Sequence, residues 1–217
     1  MIQTVIFDMD GVIIDSEPVH FKIEKNMFEE LKIAMSFEEH CSYVGSSSQN
    51  MWETIINKHD VTDHLETLIK KEHGLYMNYL LNEKDLHPIP GVADLIKELH
   101  KNNFKIIVAS SSYREIINIV LKKFNLTDYF IAKVSGTELT HSKPHPEIFL
   151  QSARLANSKP EECLVIEDSE NGITAAKAAG MKCIGFLNPG SGIQNLSRAD
   201  LIIKSFRELN ADFIRGI

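Results

Sequence analysis

The chain has 217 residues, with 23 Lys and Arg against 30 Asp and Glu, a formal net charge of −7. Its 43% hydrophobic and 24% charged content excludes disorder or low complexity as its main character. The acidic balance argues against a nucleic-acid partner, which requires a basic face. At about 150 residues per domain the length fits one domain carrying an insertion, large enough to fold without disulfides or a structural metal. Cys41, Cys163 and Cys183 form no CxxC pair, so neither a disulfide framework nor a thiolate zinc site is expected. No apolar run approaches the ~20 residues of a membrane span. The opening MIQTVIFDMD lacks the basic-then-apolar order of a secretion signal. A cytoplasmic monomer without a membrane partner is the expectation.

Residues 2–7 form a short apolar run that ends at Asp8. Residues 15–85 then show only helical spacing, through Phe21, Met27, Phe28 and Leu31, then Met51, Trp52, Ile55 and Ile56, then Leu65, Leu68, Ile69, Leu75, Met77 and Leu80. This stretch is expected to be a small all-helical domain, with 1–14 and 86–217 forming the main one. It holds fourteen acidic and seven basic residues and no arginine, so it carries the whole net charge. After Pro90-Gly91, Leu95, Ile96 and Leu99 mark a helix over residues 92–102. Apolar runs at 105–109, 131–134, 163–166, 183–186 and 201–203 then alternate with helical patterns. Those helices are marked by Ile116 and Val120, by Ile148 and Phe149, and by Ala175, Ala176 and Ala179 before Gly180. Short continuous apolar runs suit strands covered on both faces. Their alternation with helices predicts a doubly wound, Rossmann-like parallel α/β sheet with an inserted helical domain.

The chemistry concentrates where strands end. Asp8 and Asp10 leave the first strand at its carboxyl end, where ligands bind in open parallel sheets, and oxygen donors at this spacing suit a hard cation. Glu167-Asp168 follows the run CLVI as a second acidic pair. Ser110-Ser111-Ser112 follows KIIVA and offers hydroxyls and N–H groups at a helix start, a ready anion site. Ser112 itself reads as that helix's N-cap. Lys143 sits in the proline-bounded loop His141-Ser142-Lys143-Pro144. His141 and His145 have a metal-like spacing, but two prolines and no further ligand argue against zinc.

These motifs resemble the haloacid dehalogenase superfamily, specifically its β-phosphoglucomutase-like branch with a helical cap inserted after the first motif. DMDGVIIDSEPVH, VASSS, SKPHPEIF and VIEDSENGITAAKAAGM are similar to that branch's four motifs in order, and the resemblance spans essentially the whole chain. It implies Asp8 as the nucleophile that takes a phosphoryl group, and Asp10 as the general acid and base. Mg²⁺ would be held by Asp8, the Asp10 carbonyl and Asp168, with Glu167 alongside or behind them. Ser110, the Ser111 N–H and Lys143 would hold the phosphoryl oxygens. His20 falls where the cap begins, and residues 43–50, with Gly45, Ser46 and Ser47, match the cap's substrate loop.

A second aspartate at position 10 suits protonation of an alkoxide, so the resemblance points to phosphate esters rather than dehalogenation or phosphonate cleavage. A mutase must also grip a second phosphate, a task suited to arginine. Where the branch's mutases carry lysine and arginine, this chain has Val44 and Ser48, with Lys70 or Lys71 as partial substitutes. The expectation is therefore a Mg²⁺-dependent phosphatase acting on a small phosphorylated metabolite, with gating about residues 15–16 and 86–90. β-Phosphoglucomutase is the second reading. A non-catalytic phosphometabolite- or partner-binding protein is the third, opposed by competent side chains at every catalytic position.

Overall fold

The computed structural model describes all 217 residues. Strand β1 (Thr4–Phe7) is buried along its whole length. Val5 and Phe7 pack into the core on one face of the sheet and Ile6 into the core on the other, as the two-residue period of a strand requires. Helices α1 (Glu17–Glu30), α2 (Phe37–Cys41), α3 (Ser48–His59) and α4 (Leu65–Asn82) follow with no strand among them. Then come α5 (Val92–Lys101), β2 (Lys105–Ser110), α6 (Arg114–Lys123), β3 (Ala132–Ser135), α7 (Glu147–Leu155), β4 (Cys163–Glu167), α8 (Glu170–Ala178), β5 (Lys182–Phe186), β6 (Leu201–Ile203) and α9 (Ala211–Gly216).

The six strands are parallel and ordered β3-β2-β1-β4-β5-β6. The chain thus winds outward from β1 in one direction and restarts at β4 on β1's other side. That reversal opens a crevice at the carboxyl ends of β1 and β4, where Asp8 and Asp168 lie. Strands β2 and β4 each run one residue further than their apolar runs, to Ser110 and Glu167. Pairing with Ser135 and Gly185 takes both polar residues into the sheet.

The four inserted helices have a small core of their own, in which Met27, Phe28, Met51, Trp52, Ile55 and Leu68 are buried. Tyr76 and Leu80, from the far end of α4, join the main core instead. The insert therefore keeps its own core while the far end of α4, with Val19 and Ile23 of α1, packs on the core of the sheet domain. Its two connections meet at Ile14, which bridges both Asp10 and Pro88.

One local expectation is corrected. Helix α6 begins a residue later than the serine run suggests, and its N-cap is Tyr113, which makes no side-chain cap bond. The Ser112 hydroxyl donates instead to Asp10 Oδ2 at 2.7 Å. A bond to a carboxylate is stronger than one to a neutral acceptor, and it draws Ser112 toward the crevice.

Candidate active site

Asp8 is 3% exposed at the end of β1. Lys143, with a side chain 1% exposed, donates to Asp8 Oδ1 at 2.8 Å and to Glu167 Oε1 at 2.5 Å. The other oxygen of Glu167 accepts the Asp168 and Ser169 N–H groups, both at 3.0 Å, and the Ser169 hydroxyl at 2.9 Å. Both oxygens of Glu167 are therefore occupied within the protein. One holds the lysine and the other shapes the turn that aims Asp168.

That turn depends on a missing side chain. A Cβ at Gly172 would lie 1.8 Å from Glu167 Oε1, so the first turn of α8 admits the carboxylate only because residue 172 is glycine. Gly11 plays the same part opposite: its φ is +72° and a Cβ there would sit 1.9 Å from Asp168 Oδ2. Asp168 also accepts the Ser191 hydroxyl, and Asn188 Nδ2 donates to the Gly11 carbonyl at 3.1 Å. Ser191 and Asn188 lie between β5 and β6 in an Asn-Pro-Gly-Ser turn whose composition signals a loop but not a role.

Oxygens of Asp8, Glu167 and Asp168 lie within 4.8 Å of one another, and all three residues are buried. Three carboxylates against one ammonium leave a buried excess of negative charge. Burial, with Glu167 and Asp10 nearby, pushes the Asp8 carboxyl up to about 8 despite Lys143. Burial also raises Asp168, helped by Glu167 and Asp8. For Lys143, burial works downward, but the contacts with Asp8 and Glu167 outweigh it and hold its ammonium charged. An all-oxygen, electron-rich donor set of this kind fits a hard divalent cation such as Mg²⁺.

Asp10 stands across the crevice and is aimed by four hydroxyls. Ser16 Oγ donates to its Oδ1 at 2.7 Å and the Tyr76 hydroxyl at 3.5 Å. Its Oδ2 accepts Ser110 Oγ at 3.1 Å and Ser112 Oγ at 2.7 Å. The Ser110 hydroxyl also accepts the Ser112 N–H at 2.9 Å and is fully buried, so it ties Asp10 to the start of α6. His20 lies with Nε2 3.9 Å from Asp10 Oδ1, its ring against Tyr76 at 4.1 Å.

The helical insert covers this crevice. The Ser111 hydroxyl donates to the Gly45 carbonyl at 2.8 Å, Ser47 N–H donates to Ser142 Oγ at 3.0 Å, and Asn171 Nδ2 reaches the Val44 carbonyl at 2.8 Å. Gly45 has φ +79°, and a Cβ there would lie 2.3 Å from Ser169 Oγ. Ser46 Oγ lies 3.5 Å from Asn171 Nδ2, while Ser47 Oγ accepts the Asn50 N–H and caps α3. Residues 43–48 thus roof a chamber whose floor is Asp8, Asp10 and Asp168.

The roof and walls carry no lysine or arginine. They do carry three acids that sequence reasoning missed, Glu17, Glu24 and Glu72. Burial pushes Glu24 and Glu72 each up to about 7. It also raises Glu17, with Asp168 and Asp10 adding to the effect. Glu24 bonds His40, and Glu72 accepts the Trp52 indole N–H at 2.7 Å and the Ser48 hydroxyl at 3.0 Å. The insert's acidic excess was the one signal that could have pointed to them.

Residues 5–186 match the sequence model of the haloacid dehalogenase-like hydrolases. The chain belongs to that family. Within it, the chain falls in the β-phosphoglucomutase-like branch. It is 32% identical to a β-phosphoglucomutase of Bacillus subtilis over 98% of this chain and 93% of that one. It is 30% identical to hexitol phosphatase B of Escherichia coli over 99% and 97% of the two chains. Among solved structures, a β-phosphoglucomutase from Clostridium difficile superposes with a TM-score of 0.87 at 28% identity, covering 100% of this chain and 96% of that one. No helix is long and apolar enough to cross a membrane.

Proposed function

We propose that the chain is a Mg²⁺-dependent phosphatase that hydrolyses a small, sugar-phosphate-like monoester through an aspartyl-phosphate on Asp8. The observation that carries this reading is the contrast between floor and roof. The floor has the buried Asp8 carboxylate, an ammonium 2.8 Å from it and, in Asp8, Glu167 and Asp168, oxygens close enough together to hold a cation. The roof and walls offer His20, His40 and His73 beside neutral and acidic groups, and no lysine or arginine to hold a second phosphate.

Asp8 would attack phosphorus, forming the O–P bond of an acyl phosphate as the bond to the ester oxygen breaks. Asp10, set by the Ser16, Ser110 and Ser112 hydroxyls, gives its proton to the departing alkoxide. It then takes a proton from the water that attacks the acyl phosphate, releasing inorganic phosphate and restoring Asp8. Lys143 and the Ser111 N–H would meet the charge that builds on the phosphoryl oxygens, while the Ser110 hydroxyl donates to Asp10 and accepts the Ser112 N–H. Asp8, Asp168 and the Asp10 carbonyl are the groups that would hold Mg²⁺. The cation screens the repulsion between Asp8 and the phosphoryl group. Glu167 positions Lys143. The closed roof keeps bulk water from Asp10 and the acyl phosphate.

Named relatives include both phosphatases and phosphoglucomutases, so the test must read both outcomes. Phosphate release with Mg²⁺ is measured over small monoesters, including hexose and hexitol phosphates. Isomerisation of β-glucose 1-phosphate is followed in parallel, primed with glucose 1,6-bisphosphate. Net release from one or a few esters supports the phosphatase. Conversion to glucose 6-phosphate without net release overturns it in favour of a mutase.

A further inference from the structure

Outside the chamber, the loop that carries Lys143 brings together a second set of metal-ligating side chains. In the sequence, His141 and His145 stand as a pair without a third ligand. The first residue of α7 supplies one: ligand atoms of His141, His145 and Glu147 all lie within 4.8 Å of one another. His141 Nδ1 is 3.1 Å from Glu147 Oε2, and His145 Nδ1 accepts the Glu147 N–H at 3.3 Å. The Glu147 N–H takes the one lone pair of His145 Nδ1 and orients the ring, so the nitrogen that His145 can offer an ion is Nε2. The two rings stack with centroids 4.3 Å apart and planes 30° from parallel.

We propose that His141, His145 and Glu147 form a binding site for a borderline transition metal of the Zn²⁺ class, separate from the oxygen-lined floor of the chamber. Three features argue for it. First, the donor set is two imidazoles and one carboxylate, which suits Zn²⁺, Cu²⁺ or Ni²⁺, whereas the floor's carboxylates and carbonyl suit Mg²⁺.

Second, the site is preorganised. Pro144 and Pro146 flank His145 and fix two backbone torsions. The Glu147 carboxylate is held by the Thr140 N–H at 3.3 Å and the His141 N–H at 2.9 Å. Each oxygen keeps a lone pair beyond these bonds. Ligands that are already ordered lose little entropy on binding.

Third, the site is open. The His141 side chain is 57% exposed and that of Glu147 23%. Three protein ligands with water-accessible positions describe an exchangeable site rather than a closed structural one. Its placement gives it a consequence, because the same short loop presents Lys143 to Asp8 and Ser142 to the roof loop. An ion bridging positions 141, 145 and 147 would brace the segment between them. Occupancy at the surface would thereby stiffen a part of the chamber floor.

The test uses the full-length protein, stripped by chelator and returned to millimolar Mg²⁺ so that the oxygen site is filled. Zn²⁺ binding is measured by equilibrium dialysis with elemental analysis, for the wild type and for His141→Ala, His145→Ala and Glu147→Gln. The expected result is one Zn²⁺ per chain in the wild type and at least a tenfold loss of affinity in each histidine variant. Cu²⁺ supplied in place of Zn²⁺ should give an electron paramagnetic resonance spectrum with coupling to two nitrogens in the wild type, and fewer in the variants. The proposal is overturned if the wild type retains no Zn²⁺ in excess Mg²⁺, or if both histidine variants retain it equally. A Cu²⁺ spectrum of the wild type without nitrogen coupling would overturn it too, independently of how the variants fold.

Discussion

Replacing Lys143 by methionine would leave Asp8 and Glu167 facing each other in a buried pocket with no ammonium between them. Removing one partner of a buried ionic set costs about 3 to 5 kcal/mol, chiefly because the remaining charge stays buried and unpaired. Lys143→Met should lower the unfolding free energy of the metal-free protein by about that much, seen as a lower urea midpoint at unchanged slope. An unchanged midpoint would mean that Asp8 and Glu167 do not depend on the lysine. Ser112 tests a different kind of dependence. Its hydroxyl holds Asp10 at 2.7 Å from a position that sequence reasoning gave to helix capping. If Asp10 is the proton donor, Ser112→Ala should reduce kcat about tenfold or more on an ester with a poorly stabilised alkoxide. An aryl phosphate, whose leaving group needs no proton, should be affected far less. Equal losses on both would remove Ser112 from the orientation of Asp10.

The first turn of α8 shows how an element can be read correctly and its role missed. The helix's place before Gly180 follows from the spacing of Ala175, Ala176 and Ala179, and the Ser169 hydroxyl caps it by accepting the Gly172 N–H at 3.0 Å. The need for glycine at 172 does not follow, because it arises from a carboxylate packed where a Cβ would be. Gly172→Ala should therefore lower both stability and activity, by displacing the buried Glu167 and with it Lys143. Activity retained in a folded variant would show that Glu167 can be moved without harm. The same division runs through the whole site. The strands, the crevice and the acid pairs at the ends of β1 and β4 were legible because each is written in consecutive residues with a fixed period. Tyr76 at Asp10, Ser191 at Asp168, and Asn171 and Ser142 at the roof loop were not. Each lies far along the chain from the group it touches, and its neighbours in sequence give no hint of the contact. The boundary of α6 was misplaced for a related reason, since the Asp10 carboxylate 102 positions away competes for the Ser112 hydroxyl.

Across the whole molecule, the acidity of the insert is turned inward as well as outward. Glu24 and Glu72 lie buried in the chamber walls with carboxyls raised by burial to about 7. A carboxyl that holds its proton more tightly folded than unfolded contributes its full stability below its unfolded value. For Glu72 that value is 4.5, and the contribution is lost as pH rises through about 7. His40, held down to about 4 by burial, acts in the opposite sense between there and 6.5, so the Glu72 share has to be isolated by a variant. Glu72→Gln should match the wild type near pH 4.5 and be more stable by about 3 kcal/mol at pH 8. Stability curves that stay parallel over this range would show that Glu72 ionises freely in the fold. The proposed hydrolysis depends on Asp8 carrying the phosphoryl group. The most direct measurement is to mix the protein with Mg²⁺ and a hydrolysed ester, quench in acid, and treat with borohydride, which reduces an acyl phosphate to the alcohol. Peptide mass spectrometry is predicted to find homoserine at position 8, absent without substrate. An unmodified Asp8 during turnover, or reduction at another carboxylate, would contradict the account.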